Sequence, residues 1–161
     1  MTRKKPLPRT IEKPQMSNFN FEKLEVSQAT TWLDLPEVAP GARVCLKPAT
    51  EANPAYFNAM MRRSAGRARK MIRTDRVTTE DTAANRLEDR ELFPVFVFVT
   101  WEGIPDTENR PVPFNRDNVK EFCAKLPDWL FDRIRNHAST PERFLPEDVD
   151  PEPDTEDLAG N

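Results

Sequence analysis

The stretch that decides the fold is "TEANPAYFNAMMRRSAGRARKMIR", from Thr50 to Arg73. Asn53 is a favoured N-cap residue, and Pro54 suits the first helical position because an N–H would have no intrahelical partner there. Apolar and small side chains then recur at helical spacing, at Phe57, Met60, Met61, Ser64, Ala65, Ala68, Met71 and Ile72. The sequence therefore predicts a long amphipathic helix whose apolar stripe faces the core.

The other face of this predicted helix is strongly basic. It carries Arg62, Arg63, Arg69, Lys70 and Arg73, with Arg67 at its border. Such a face either binds nucleic acid phosphates or is a solvated surface that an acidic partner, or the chain's own acidic end, neutralises. The chain has a net charge of −3 and few aromatic residues lie between the arginines, which favours the second interpretation. The five basic residues remain candidates for contact with a partner.

A second helix is predicted to start at Thr78 or Thr79, with acidic residues in its first turn. It runs into "LFPVFVFV", from Leu92 to Val99. The β-branched and aromatic residues of this run favour a buried strand, whereas Pro94 argues against a central strand and would also kink a helix. Helix and strand both stay open for residues 92–100.

Three further elements follow from local signals. Asn115 predicts the cap of a third helix, which Pro127 breaks because the residue before a proline is pushed away from helical geometry. A short fourth helix restarts there and ends before Pro141. Upstream, "GARVCLKP" (Gly41–Pro48) predicts a strand after a turn, within a hairpin spanning about residues 24–47.

These elements predict a mainly α-helical protein of three to four helices, with a minor β element near the N-terminus. The 16 prolines and 4 glycines argue against an all-β fold, because tight hairpins need glycine. We expect a basic disordered arm at residues 1–18, one helical domain at 19–145 and an acidic disordered tail at 146–161.

The usual ingredients of an active site are scarce. His137 is the only histidine, at the end of the fourth helix, and Cys45 and Cys123 sit in apolar surroundings without a CxxC pair. No glycine-rich phosphate loop or metal-ligand spacing occurs. We therefore expect no catalytic residues, no cofactor and no metal. The sequence shows neither an export signal nor an apolar run of membrane-spanning length, which predicts a soluble intracellular protein that does not contact a membrane.

The segment "VTWEGIPDTENRPVPFNRDN" (Val99–Asn118) places apolar residues in a predicted loop. Trp101, Ile104, Pro113 and Phe114 either fix the loop on the core or meet a partner, since prolines hold a segment extended at low entropic cost. We expect the structural role first and recognition second. Together with Trp129 of the fourth helix, these four residues are candidate partner-binding residues.

The same segment resembles the tail assembly chaperones of long-tailed, siphovirus-type bacteriophages. The resemblance rests on Trp101–Ile104, then Asp106, then Pro111–Asn115, then Asn118 at a helix start, and on a later Leu-Pro-Asp-Trp-Leu step beginning at Leu126. It covers about residues 42–138. Where that family has Gly or Asn-Gly in the turn, this chain has "TENR" (residues 107–110).

The resemblance implies a non-catalytic protein in the cytoplasm of the bacterial host. Such a chaperone coats the aggregation-prone tape-measure protein while tail tube subunits polymerise around it, and in that family a longer form often arises by ribosomal frameshifting. The implied partners are the tape-measure protein and the tail tube protein, with self-association a further expectation. The alternative is a small phage-encoded nucleic-acid-binding or structural adaptor protein that uses the arginine-rich helix.

Overall fold

The computed structural model describes residues 29–74 and 76–146. Its elements in chain order are β1 (Thr31–Asp34), β2 (Arg43–Leu46), α1 (Pro54–Thr74), α2 (Thr79–Phe96), β3 (Phe98–Glu102), α3 (Arg116–Lys125), α4 (Asp128–Ala138) and a 3-10 turn (Pro141–Phe144). The prediction of a mainly helical protein with a minor β element is confirmed. The predicted arm at 1–18 and all but the first residue of the predicted tail at 146–161 lie outside the described residues.

The three strands form one antiparallel sheet in the order β1-β2-β3. β1 and β2 make the predicted hairpin, although residues 24–28 of the predicted span lie outside the described part of the chain. Gly41 adopts φ +80° in its turn, and the N–H of Leu35 donates to the carbonyl of Ala42 at 2.8 Å. The missing side chain of glycine makes this left-handed conformation accessible.

Helix α1 begins where the sequence predicts. The Asn53 side chain accepts a hydrogen bond from the N–H of Tyr56 at 3.4 Å and donates one to the carbonyl of Phe96 at 2.9 Å. Among the described side chains its predicted buried stripe is confirmed only in part: Met60 packs against the core, but Met61 is 46% exposed, and the buried Tyr56 and Ala59 were not in the predicted stripe. Tyr56 faces inward because its ring contacts that of Phe93 and its hydroxyl donates a hydrogen bond to Asp89.

The run from Leu92 to Val99 is divided between two elements. α2 starts with a capping box between Thr78 and Asp81, continues through Pro94 and ends at Phe96. β3 begins two residues later, at Phe98. Pro94 has no N–H to donate to the carbonyl of Arg90, but it lies in the last turn of α2, so any kink that it causes affects only the final residues of the helix.

Helices α3 and α4 also follow the predicted boundaries. The Asn115 side chain accepts from the N–H of Asn118 at 2.9 Å, which caps α3. Leu126 adopts ψ 139° before Pro127, so α3 ends and α4 restarts at Asp128.

The core lies where α1, α2 and α4 meet. Phe93 of α2 is fully buried, and its ring contacts those of Tyr56 and Phe131 edge-on at centroid distances of 5.6 Å. Phe144 of the 3-10 turn is also fully buried, so the chain is held down on α4 to this point. The sheet joins the same core through Val44 and Trp101.

Ion pairs fasten α4 to α2. Asp89, only 8% exposed, accepts from the Tyr56 hydroxyl at 2.8 Å and from Nε of Arg135 at 2.7 Å. Arg86 donates to both carboxylate oxygens of Asp132, at 2.9 and 2.7 Å, and this hydrogen bonding holds the pKa of Asp132 below its usual value. A buried charge must be paired in this way, because an unpaired one would cost several kcal/mol (about 3–5).

Candidate partner-binding surface

The loop between β3 and α3 is closed by hydrogen bonds and aromatic contacts. Nε1 of Trp101 donates to the carbonyl of Val112 at 2.8 Å, and the N–H of Val112 donates to the carbonyl of Ile104 at 2.8 Å. The Trp101 ring contacts those of Phe114 and Phe122 edge-on, each at 5.3 Å. Trp101 and Ile104 are 7% and 4% exposed, so they shape the loop from inside.

Asp106 organises the turn at the tip of this loop. Its carboxylate accepts from the backbone N–H groups of Glu108 at 2.8 Å and Arg110 at 2.9 Å. These bonds, first that from the Arg110 backbone, lower the pKa of Asp106. Asn109 adopts φ 59°, in the left-handed region that favours glycine. Asparagine tolerates this region better than most residues, so the turn forms without glycine.

The base of the loop packs against the β1–β2 turn. Gly103 has φ +66°, and a Cβ there would lie 2.8 Å from the carbonyl oxygen of Gly41. Only glycine permits this backbone approach. The loop is therefore positioned by Gly103 at its base, which packs against Gly41 of the β1–β2 turn.

The structure separates the remaining apolar candidates. Pro113 is exposed and Phe114 is half-buried, just before α3, whereas Trp129 is 58% exposed in the first turn of α4. The ten residues of α3 lie between them and span about 15 Å. Pro113 and Trp129 are therefore not neighbours along the chain and lie at opposite ends of α3. Their role in binding stays a prediction.

The basic face of α1 is divided between paired and unpaired arginines. Arg63 forms an ion pair with Glu91 of α2. Arg67 pairs with Glu88, whose hydrogen bonds raise the pKa of Arg67. In contrast, three arginines of α1 are exposed and have no ion-pair or hydrogen-bond partner within residues 29–74 and 76–146. They are Arg62, Arg69 and Arg73; Lys70 is exposed and does interact with another group.

A surface that the sequence analysis missed runs along α2. Leu87, Glu91 and Val95 are spaced i, i+4 and i+8, and Leu87 and Val95 are 66% and 38% exposed. They line a groove of about 550 Å³. The other lining residues come from α1, α2 and α3. We call the whole the α2 groove, and its residues are Arg63, Leu87, Arg90, Glu91, Val95, Lys120 and Ala124.

The spacing within α2 could have indicated this groove. It was obscured because the same helix also carries Leu92 and Phe93, which are buried on the other side. A helix with apolar residues on two sides gives no single stripe from which to read a surface.

The candidate chemical groups do not assemble into a reactive cluster. His137 is partly buried, its Nε2 has no hydrogen-bond partner, and burial first, then Arg143 and Arg133, lowers its pKa. Cys45 and Cys123 are buried free thiols, and burial raises the pKa of Cys123 to about 12. Within the described ranges, no group of three or more His, Cys, Asp or Glu residues is arranged to hold a metal ion.

Comparison with known proteins gives one family. The model of a family described as YdaY prophage protein matches residues 51–151, which include α1 to α4. Searches among curated proteins and among solved structures find no match. None of the helices within residues 29–74 and 76–146 is long and apolar enough to cross a membrane.

Proposed function

We propose that this chain, which belongs to the YdaY family of prophage proteins and is therefore phage-derived, is a non-catalytic tail assembly chaperone. In this role it binds the tape-measure protein in the cytoplasm of the bacterial host and helps to recruit tail tube subunits. The family match supports the phage origin, and the resemblance of the β3–α3 loop supports the finer assignment.

The observation that carries the proposal is the α2 groove. Leu87 and Val95 expose apolar surface on the middle helix of three, between α1 and α3. A groove with apolar residues on its floor and charged residues beside them suits an amphipathic helix laid into it. Single exposed apolar residues are common on proteins, but Leu87 and Val95 lie two turns apart on one face of α2 and line the same groove, which supports an interaction site.

The size of the groove suits temporary binding. Removing the exposed parts of Leu87 and Val95 from water would contribute roughly 1–3 kcal/mol. That is on the order of ten- to a hundredfold in affinity, small enough for tube subunits to displace the chaperone. A chaperone that must be released needs such a limited apolar contact.

The nucleic-acid alternative has weaker support. Glu91 and Glu88 already neutralise Arg63 and Arg67, which leaves fewer free arginines on α1 for phosphates. A salt titration of DNA binding distinguishes the two functions. Affinity that falls steeply with salt would favour the alternative, since phosphate contacts release counterions.

The proposal is tested by co-expressing the chain with the tape-measure protein of the same prophage, followed by a pull-down. We expect the tape-measure protein to co-purify, and the complex to resist salt better than a DNA complex would. A well-folded chain that captures no tape-measure protein would refute the chaperone function.

A further inference from the structure

We propose that the α2 groove selects an amphipathic helix whose apolar stripe is flanked by carboxylates. This inference rests on the proposed function, because it names the chemistry of the helix that the chaperone would cover. The floor of the groove supplies the apolar contact through Leu87 and Val95, and its two rims supply positive charge.

The first rim belongs to α1. At 100° per residue, Arg62, Arg69 and Arg73 fall within about 40° of one another on this helix. Ser64 lines the cavity on the opposite side of α2, whereas Arg63 lines the α2 groove. Arg63 is the α1 residue that lines the groove, and the arginine row lies about 100° round the helix from it, on the side turned away from Ser64; we infer that it forms the outer edge of the groove on α1.

The second rim belongs to α3. Arg116, Lys120 and Ala124 are spaced i, i+4 and i+8, and Lys120 and Ala124 line the groove. Arg116, Asp117 and Lys120 are exposed and have no ion-pair partner in the described part of the chain, so this rim carries two cations against one carboxylate. The small side chain of Ala124 lets an incoming helix approach α3 closely.

The acidic residue inside the groove does not cancel this charge. Glu91 is paired with Arg63, so its carboxylate is already compensated. A helix with carboxylates on both sides of its apolar stripe would meet cations on both rims. Each exposed pair contributes little, about 0.2–1 kcal/mol, so the rims set selectivity and the apolar floor sets much of the affinity.

The occupant is a partner helix and not the chain's own acidic sequence after residue 146. The sequence 147–161 is acidic, but Pro151 and Pro153 interrupt it and Val149 and Leu158 are its only large aliphatic residues. Proline in the helix interior costs about 3 kcal/mol, so this sequence does not offer a helical apolar stripe. A second copy would bring a second basic groove, whose like charges repel the first.

The test uses two labelled synthetic peptides with the same leucine stripe, one flanked by glutamates and one by lysines. Fluorescence anisotropy measures their binding to the full-length chain at low and high salt. We expect the glutamate peptide to bind about tenfold more tightly at low salt, with the difference shrinking as salt screens the rims. Lys120→Glu together with Arg62→Glu should reduce that preference by about tenfold.

A matched pair of variants locates the site. Leu87 and Val77 are both 66% exposed, but only Leu87 lines the groove. We expect Leu87→Glu to weaken binding of the glutamate peptide by at least about tenfold, and Val77→Glu to leave it within about twofold. Because both side chains are exposed, both variants should fold, which circular dichroism checks.

Three results would overturn the inference: equal affinity for the two peptides, equal effects of the two variants, or tighter peptide binding when the carboxylates of residues 147–161 are changed to amides. The last result would assign the groove to the chain's own C-terminal sequence. Failure here is distinguishable from failure of the chaperone function. A tape-measure protein that co-purifies equally with Leu87→Glu retains the function and rejects the groove. Peptide selectivity without capture of the tape-measure protein would support the groove and reject the chaperone function.

Discussion

Replacing Gly103 by alanine should unsettle the loop between β3 and α3 far more than the same change at Gly41. Both glycines have positive φ, +66° and +80°, so alanine is strained at either position. They differ in space. A Cβ on Gly103 would lie 2.8 Å from the carbonyl oxygen of Gly41 and 3.2 Å from the backbone nitrogen of Ala42, whereas a Cβ on Gly41 would meet nothing within 4 Å.

The magnitudes follow from these two terms. The left-handed conformation costs alanine about 1–2 kcal/mol, partly offset by about 0.4–1 kcal/mol because alanine restricts the unfolded chain. We therefore expect Gly41→Ala to lower the free energy of unfolding by about 1 kcal/mol. At Gly103 the contact with rigid backbone adds about 1–3 kcal/mol, for a total of about 2–4 kcal/mol.

Urea unfolding of the two variants beside the wild type measures this difference. Comparable slopes would show that the midpoint shifts report stability rather than a changed unfolded state. Equal losses in both variants would refute the argument that the loop is fixed by close packing on the β1–β2 turn. A Gly103→Ala protein within about 0.5 kcal/mol of wild type would refute it too.

Other predictions concern buried polar groups. Tyr56→Phe should lower the free energy of unfolding by about 1–2 kcal/mol, because it removes the buried hydrogen bond to the Asp89 carboxylate; chemical denaturation measures it, and an unchanged midpoint would contradict it. Since burial raises the pKa of Cys123 to about 12, its thiol should resist a thiol reagent at pH 8 in the folded protein and react in urea; rapid labelling without urea would be the contrary result. Burial lowers the pKa of His137, so the folded state binds fewer protons than the unfolded state. Stability should therefore fall as pH drops from above the ordinary histidine pKa through the lowered one. His137→Gln should flatten the profile below the ordinary histidine pKa of about 6.5, and parallel profiles would contradict this.

Helix boundaries were predictable because their signals are local. Asn53 with Pro54, and Asn115 before α3, satisfy or remove N–H groups within a few residues, whatever the rest of the chain does. Pro127 ends α3 by the same local sterics. Pro94 was ambiguous because its cost depends on how far the helix continues beyond it, and tertiary packing decides that.

The candidate surface was less predictable because exposure is a property of neighbours. The sequence around Trp101 and Ile104 would be the same whether these side chains faced a partner or the core. The structure buries both. The helical period places Arg63 on a basic face of α1, and only the packing of α2 puts Glu91 beside it. Leu87 lies in a helix with other apolar residues, and only the placement of α1 and α3 leaves it uncovered.

The most direct test of the central claim measures how much tape-measure protein stays soluble when it is co-expressed with wild type, Leu87→Glu or Val77→Glu chain. The account predicts soluble tape-measure protein with wild type and Val77→Glu, and mostly insoluble protein with Leu87→Glu. Tape-measure protein that remains insoluble beside well-folded wild type would contradict the claim that this phage-derived chain is its chaperone.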